Sequence, residues 1–122
     1  MMAAHQKQNM REHLIAVQEI VAALSTDDFN AVEQAAKNLG YNEAMGQRCN
    51  MLGAATPGFT AMALNFHHTA DRIVDAAKKH DRAATMTALS NTLTTCTNCH
   101  ATFKQTIVDE QTWQRLITKS GE

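Results

Sequence analysis

The chain has 122 residues and a mass of 13.4 kDa, the size of one domain, so residues 1–122 are read as a single unit with one core. Lys and Arg number 11 against 12 Asp and Glu, and no block of like charge occurs, which argues against nucleic acid or an anionic membrane surface as partner. With 44% apolar and 19% charged residues the composition is not that of a disordered chain, and no apolar run approaches the ~20 residues of a membrane span.

Aromatic residues make up 5%, Pro occurs once and Gly 5 times, a balance that favours an all-α fold. From about Ala4 to Leu24 neither Gly nor Pro interrupts, and Met10, Leu14, Val17, Val21 and Leu24 recur at steps of four and three, predicting one apolar stripe on a first helix. Ser25 to Asp28 offer N-cap residues, and Phe29, Val32, Ala35, Ala36 and Leu39 predict a short second helix ended by Gly40 as its C′ residue. Residues 41–56, with Gly46 and Gly53, read as a broken or partly helical connection. Thr56 as N-cap and Pro57 in the first turn open a third helix whose stripe runs Phe59, Met62, Phe66, Ala70, Ile73, Ala77 and ends at Lys78-Lys79-His80. Asp81 caps a fourth, where Met86, Leu89, Leu93, Cys96, His100, Phe103 and Ile107 form an unbroken stripe. In the tail from Asp109 to Glu122, Trp113, Leu116 and Ile117 predict a further amphipathic turn or two. Three clear helices and a shorter one predict an antiparallel four-helix bundle.

Residues 96–100 read Cys-Thr-Asn-Cys-His, the C-x-x-C-H pattern of covalent haem c attachment. Two thiols three residues apart can each form a thioether to one vinyl group, and the next residue then brings an imidazole to the iron. Cys96 and His100, four apart, share a helix face. A thioredoxin-like dithiol is a second reading, but no strand pattern precedes Cys96. A zinc site is a third, with Cys49 and another His completing the set, but no second C-x-x-C or H-x-x-x-H pair supports it. Haem c fits best.

With its haem motif near the carboxyl end, the chain resembles the class II c-type cytochromes of the cytochrome c-prime group. Cys96-Thr97-Asn98-Cys99-His100-Ala101-Thr102-Phe103-Lys104 is similar to that family's C-x-x-C-H-x-x-(Tyr/Phe)-(Arg/Lys), and the helical plan and Phe66-His67-His68-Thr69-Ala70 match more loosely. The 22 residues after His100 are more than the family usually carries. The resemblance implies a haem c between antiparallel helices, a periplasmic location after export, and often a homodimer packed through the first two helices. It gives Phe103 a place at the haem and Lys104 the place of a basic residue beside the proximal imidazole, against the plain reading of a solvated lysine. The amino terminus shows no charged leader followed by an apolar stretch, as a mature sequence freed of its leader also would not.

The family divides by what its first helix presents to the distal side of the iron. Met10 falls at or next to that position, so His100 and Met10 are the expected iron ligands, with His13 ranked below as a second imidazole and simple core packing of Met10 as the bland alternative. Met ligation implies single-electron transfer with redox partner proteins. An aliphatic distal pocket, around Leu14, Met62 and Phe66, would instead bind a diatomic gas such as nitric oxide or carbon monoxide. His67 and His68, adjacent on a helix, cannot both point inward, and His68 is expected in solvent. Cys49 reads as a small buried apolar residue or a free thiol, with a dimer crosslink ranked below. Lys78, Lys79, Arg82 and Lys104 form a basic group where an acidic redox partner would dock, diluted by Asp71, Asp75 and Asp81. No Ser, His and Asp set or carboxylate pair suggests hydrolysis, and enzymatic turnover is not expected.

Overall fold

The computed structural model describes residues 2–103 together with 111, 112, 114, 115 and 118. All secondary structure among the described residues is helical, with no strand among them. Within residues 2–103 five helices follow in order: α1 (Met2–Ser25), α2 (Phe29–Lys37), α3 (Glu43–Gly53), α4 (Phe59–Lys78) and α5 (Arg82–Thr102). Among them, none is long and apolar enough to cross a membrane. Helix α4 is the hub, packing on α2, α3 and α5, while α1 packs along α2.

The same turn is used twice. After α1, the amides of Asp27 and Asp28 reach back to the carbonyls of Leu24 and Ala23. After α4, those of His80 and Asp81 reach Ala77 and Ala76. Both are Schellman turns, whose left-handed residue is Asp27 in one and His80 in the other, each at φ 54°. The following Asp then caps the next helix: Asp28 accepts from the Ala31 amide at 3.1 Å and Asp81 from the Ala84 amide at 2.9 Å. His80 stacks on Phe29 with ring centroids 5.1 Å apart, and Arg82 pairs with Asp27. The α1–α2 and α4–α5 turns therefore lie side by side at one end of the molecule.

The core between the helices is built from Ile20, Leu24, Val32, Leu39, Ile73 and Leu89, with alanines at the close approaches. Two predicted stripes are corrected. On α1 the buried face is Ala16, Ile20, Ala23 and Leu24, whereas Leu14 and Val21 are 71% and 53% exposed. The apolar surface of α1 is wider than its contact, and packing selects the edge carrying the small alanines, which lets α2 approach. On α5 the buried residues are Thr85, Ala88, Leu89 and Thr92, while Met86 and Leu93 face outward. The threonines bury their methyls and return their hydroxyls to their own helix, Thr85 to Asp81 O at 2.6 Å and Thr92 to Ala88 O at 2.8 Å. Their polarity is thereby satisfied without a partner helix.

Other boundaries also move. Helix α2 ends at Lys37 with Asn38 as its C-cap, and Gly40 has no left-handed φ. A Cβ there would strike Asp71 Oδ1, which accepts from the Tyr41 amide at 3.1 Å. Residues 43–53, read as part of a broken or partly helical connection, form the continuous helix α3, started by the Asn42 side chain accepting from the Met45 amide at 2.8 Å. Thr56 and Pro57 do not begin α4. They belong to a turn closed by Phe59 N–H to Thr56 O, with Gly58 at φ 83° and ψ −14° in the position that a type II turn reserves for glycine. The predicted α5 stripe stops early, because Phe103 is extended and ends the helix after Thr102. Lys104, Ile107, Trp113, Leu116 and Ile117 lie outside the described residues.

Candidate functional site

At the end opposite the two Schellman turns, a mostly apolar cavity opens between α1, α3, α4 and α5. Helix α5 contributes Cys96, Cys99 and His100, and α1 contributes Met10 and His13. Phe59, Phe66 and His67 come from α4, and Arg48, Cys49 and Leu52 from α3. The fold thus brings Cys96, Cys99, His100, Met10 and His13 to one space, although residues 10 and 100 are far apart in sequence.

Each of these side chains has a local cause. Cys96 lies one helical turn beyond Thr92 and leans on the core, half-buried, while Cys99 is half-buried and His100 is exposed at the rim. All three cysteines are free. Burial pushes the Cys96 thiol up, with neighbouring Cys99 adding to it, and burial alone raises Cys99. Both are protonated thiols at neutral pH. Met10, at 40% exposure, sits on the wall towards the open side.

His13 heads an aromatic cluster, with ring centroids 5.0 Å from Phe66 and 5.6 Å from His67, and Phe66 and His67 are 4.8 Å apart. Burial lowers the His13 pKa to about 4, helped by His67 and Arg48 and opposed by Glu12. His67 is buried, and its Nδ1 lies 2.7 Å from the Leu39 carbonyl, a contact that requires the proton on Nδ1. Its pKa also falls, through burial, against the opposing pull of that hydrogen bond and of Asp71. Two neutral imidazoles therefore stand at the cavity. His68 is exposed and stacks on Tyr41 at 4.7 Å, as expected for the outward member of the pair.

Several expected site residues fall elsewhere. Leu14 and Met62 are not on the cavity wall, since Leu14 lies on the solvent side of α1, so of the three residues expected around an aliphatic pocket only Phe66 is there. Phe103 stands behind the wall, half-buried, with its ring 5.4 Å from that of Phe59. Lys104 lies outside the described residues. In the basic group, Lys78 pairs with Glu33 and Arg82 with Asp27. Sequence reasoning gave no part to Arg48 or Leu52 and joined Cys49 to the Cys96–Cys99 pair only in the zinc alternative, because all three sit in the stretch read as a broken or partly helical connection. The available signal was Asn42 followed by Glu43, a cap and a first-turn acid.

Among the described residues no three of His, Cys, Asp and Glu stand close enough to hold a bare metal ion. What the arrangement offers is a pair of thiols on one wall, an imidazole beside them, and a thioether and a second imidazole on α1. No known protein family, curated protein or solved structure was found to match the chain.

Proposed function

We propose that the chain is a periplasmic monohaem c-type cytochrome that carries single electrons and has no enzymatic turnover. On this reading α1, α2, α4 and α5 form an antiparallel four-helix bundle of the cytochrome c-prime kind, with α3 inserted beside the haem. The observation that carries the proposal is the opening of Cys96, Cys99 and His100 onto the same apolar cavity as Met10. The donor set suits the group: a protonated thiol adding across a vinyl double bond supplies both its sulfur and its hydrogen, so Cys96 and Cys99 carry every atom their thioethers need. His100 and Met10 would hold the iron, while Phe59, Phe66 and Leu52 would exclude water. When bound, haem c supplies a one-electron couple, and burial and thioether ligation raise its potential.

The first test is a haem stain of the denatured protein after maturation in a periplasm. Staining that disappears in the Cys96→Ala/Cys99→Ala double variant is expected, and an unstained wild type overturns the proposal. The exposure of Met10 supports a second reading, in which the iron is five-coordinate and takes a diatomic gas. The two part on Met10→Ala. Electron transfer with Met ligation requires the variant to turn from low spin to high spin in its absorption spectrum, and the gas-binding reading requires a wild type that is already high spin.

A further inference from the structure

Arg48 is the one Lys, Arg, Asp or Glu side chain on the cavity wall among the described residues. It is half-buried, and none of the ion pairs among the described residues includes it. Its hydrogen-bond partner is neutral: Nη1 donates to Asn9 Oδ1 at 3.1 Å, which ties α3 to α1 across the cavity mouth. Its charge is felt on three sides, by His13 of α1, by Cys49 beside it and by His67 of α4. A guanidinium carries five donors in a planar fork and Asn9 takes one of them, so most of the fork remains for a planar anion. A cation on an otherwise apolar wall is costly unless what fills the space brings the opposite charge.

We infer that Arg48, oriented by Asn9, is an anion-binding residue of the cavity that takes a carboxylate of its occupant. Resting on the proposal above, that carboxylate is one of the two propionate side chains of the haem. The cavity then reads its ligand at two places, thiols at one wall and a guanidinium at another. Arg48 and Asn9 also belong to different helices, so the bound carboxylate holds α3 against α1.

The test uses the holoprotein matured with haem whose carboxyl carbons are isotopically labelled, so that their infrared bands separate from those of Asp and Glu. An arginine beside a carboxylate lowers its pKa by about one to three units. Arg48→Gln is therefore expected to raise the protonation midpoint of one labelled carboxyl by about one to three pH units. Arg48→Lys, which keeps the charge but loses the fork, falls between, and Asn9→Ala moves the midpoint in the same direction by less. Glu12, Asp71, His13, His67 and His68 act on this region in all variants alike, and their bands are unlabelled. Titrations that superimpose for wild type and Arg48→Gln overturn the assignment. Failure of the haem reading itself is told apart by the stain, which depends on Cys96 and Cys99 and is untouched by substitution of Arg48.

Discussion

His13 offers a quantitative handle on the cavity. Its pKa is about 4 in the folded protein and 6.5 when unperturbed, so on acidification the unfolded chain takes up the proton first. The contribution to stability is complete above about pH 6.5 and is lost as the pH falls towards 4. At 1.36 kcal/mol per unit, proton linkage between those two values predicts a loss of about 2 kcal/mol between pH 8 and pH 5. Water at the open edge of the cavity makes this an upper figure. His13→Phe removes the titration and keeps a ring against Phe66. Urea unfolding of both proteins at pH 8 and pH 5 is the assay, with the difference of differences as the readout, so that groups common to both cancel. The wild type is expected to lose more stability than the variant by up to about 2 kcal/mol. Equal losses would refute the account of His13 as a buried, neutral imidazole.

Substitutions at two further positions probe the frame. Thr92 is fully buried and its hydroxyl bonds only to Ala88 O, so Thr92→Val should stay within about 1 kcal/mol of wild type, whereas Thr92→Ser, which deletes the methyl, should cost about 1–2 kcal/mol in urea unfolding. A larger cost for the valine would show that the hydroxyl holds the helix. Gly58→Ala would place its Cβ in ordinary van der Waals contact with Phe103 Cζ at 3.9 Å but forces a side chain to φ 83°, so a loss of about 1–2 kcal/mol in thermal unfolding is expected from backbone strain.

Much of the helical plan was legible because caps and stops are local signals. Asp28 and Asp81 stand where the sequence placed them, and the third and fourth predicted helices correspond to α4 and α5. The candidate site was legible in part for a similar reason: a five-residue motif near the end of one helix places its thiols and imidazole close together. What was hidden depended on packing. Nothing local tells the Ala16–Ile20 edge of α1 from the Leu14–Val21 edge, since both are apolar and only the approach of α2 chooses between them. Thr85 and Thr92 read as polar until a helix carbonyl is seen to take each hydroxyl. Helix α3 was read only as part of a broken or partly helical connection because Gly46 and Gly53 read as breakers. In the structure they permit close contact, as a Cβ would strike the Tyr41 ring at Gly46 and Thr60 at Gly53.

The two ends of the molecule differ in how they are closed, and the difference bears on the occupant. At one end the α1–α2 and α4–α5 turns are joined by the His80–Phe29 stack and the Arg82–Asp27 pair. At the other, α1 and α5 make no broad contact with each other and face across the cavity through Met10, His13, Cys96, Cys99 and His100. A group bound there replaces packing that the chain does not supply to itself, and a ligand held by the folded state alone stabilises it. If the cavity holds a covalent haem, the unloaded Cys96→Ala/Cys99→Ala variant should therefore lose amide hydrogen-exchange protection unevenly. The first half of α1, all of α3 and the last turns of α5 should exchange faster than in the holoprotein, while amides near Ile20, Val32 and Ile73 change little. Loss spread evenly over all five helices would mean that the cavity end is no weaker than the rest. Unchanged protection at α1 and α5 would mean that nothing bound between them contributes to their packing.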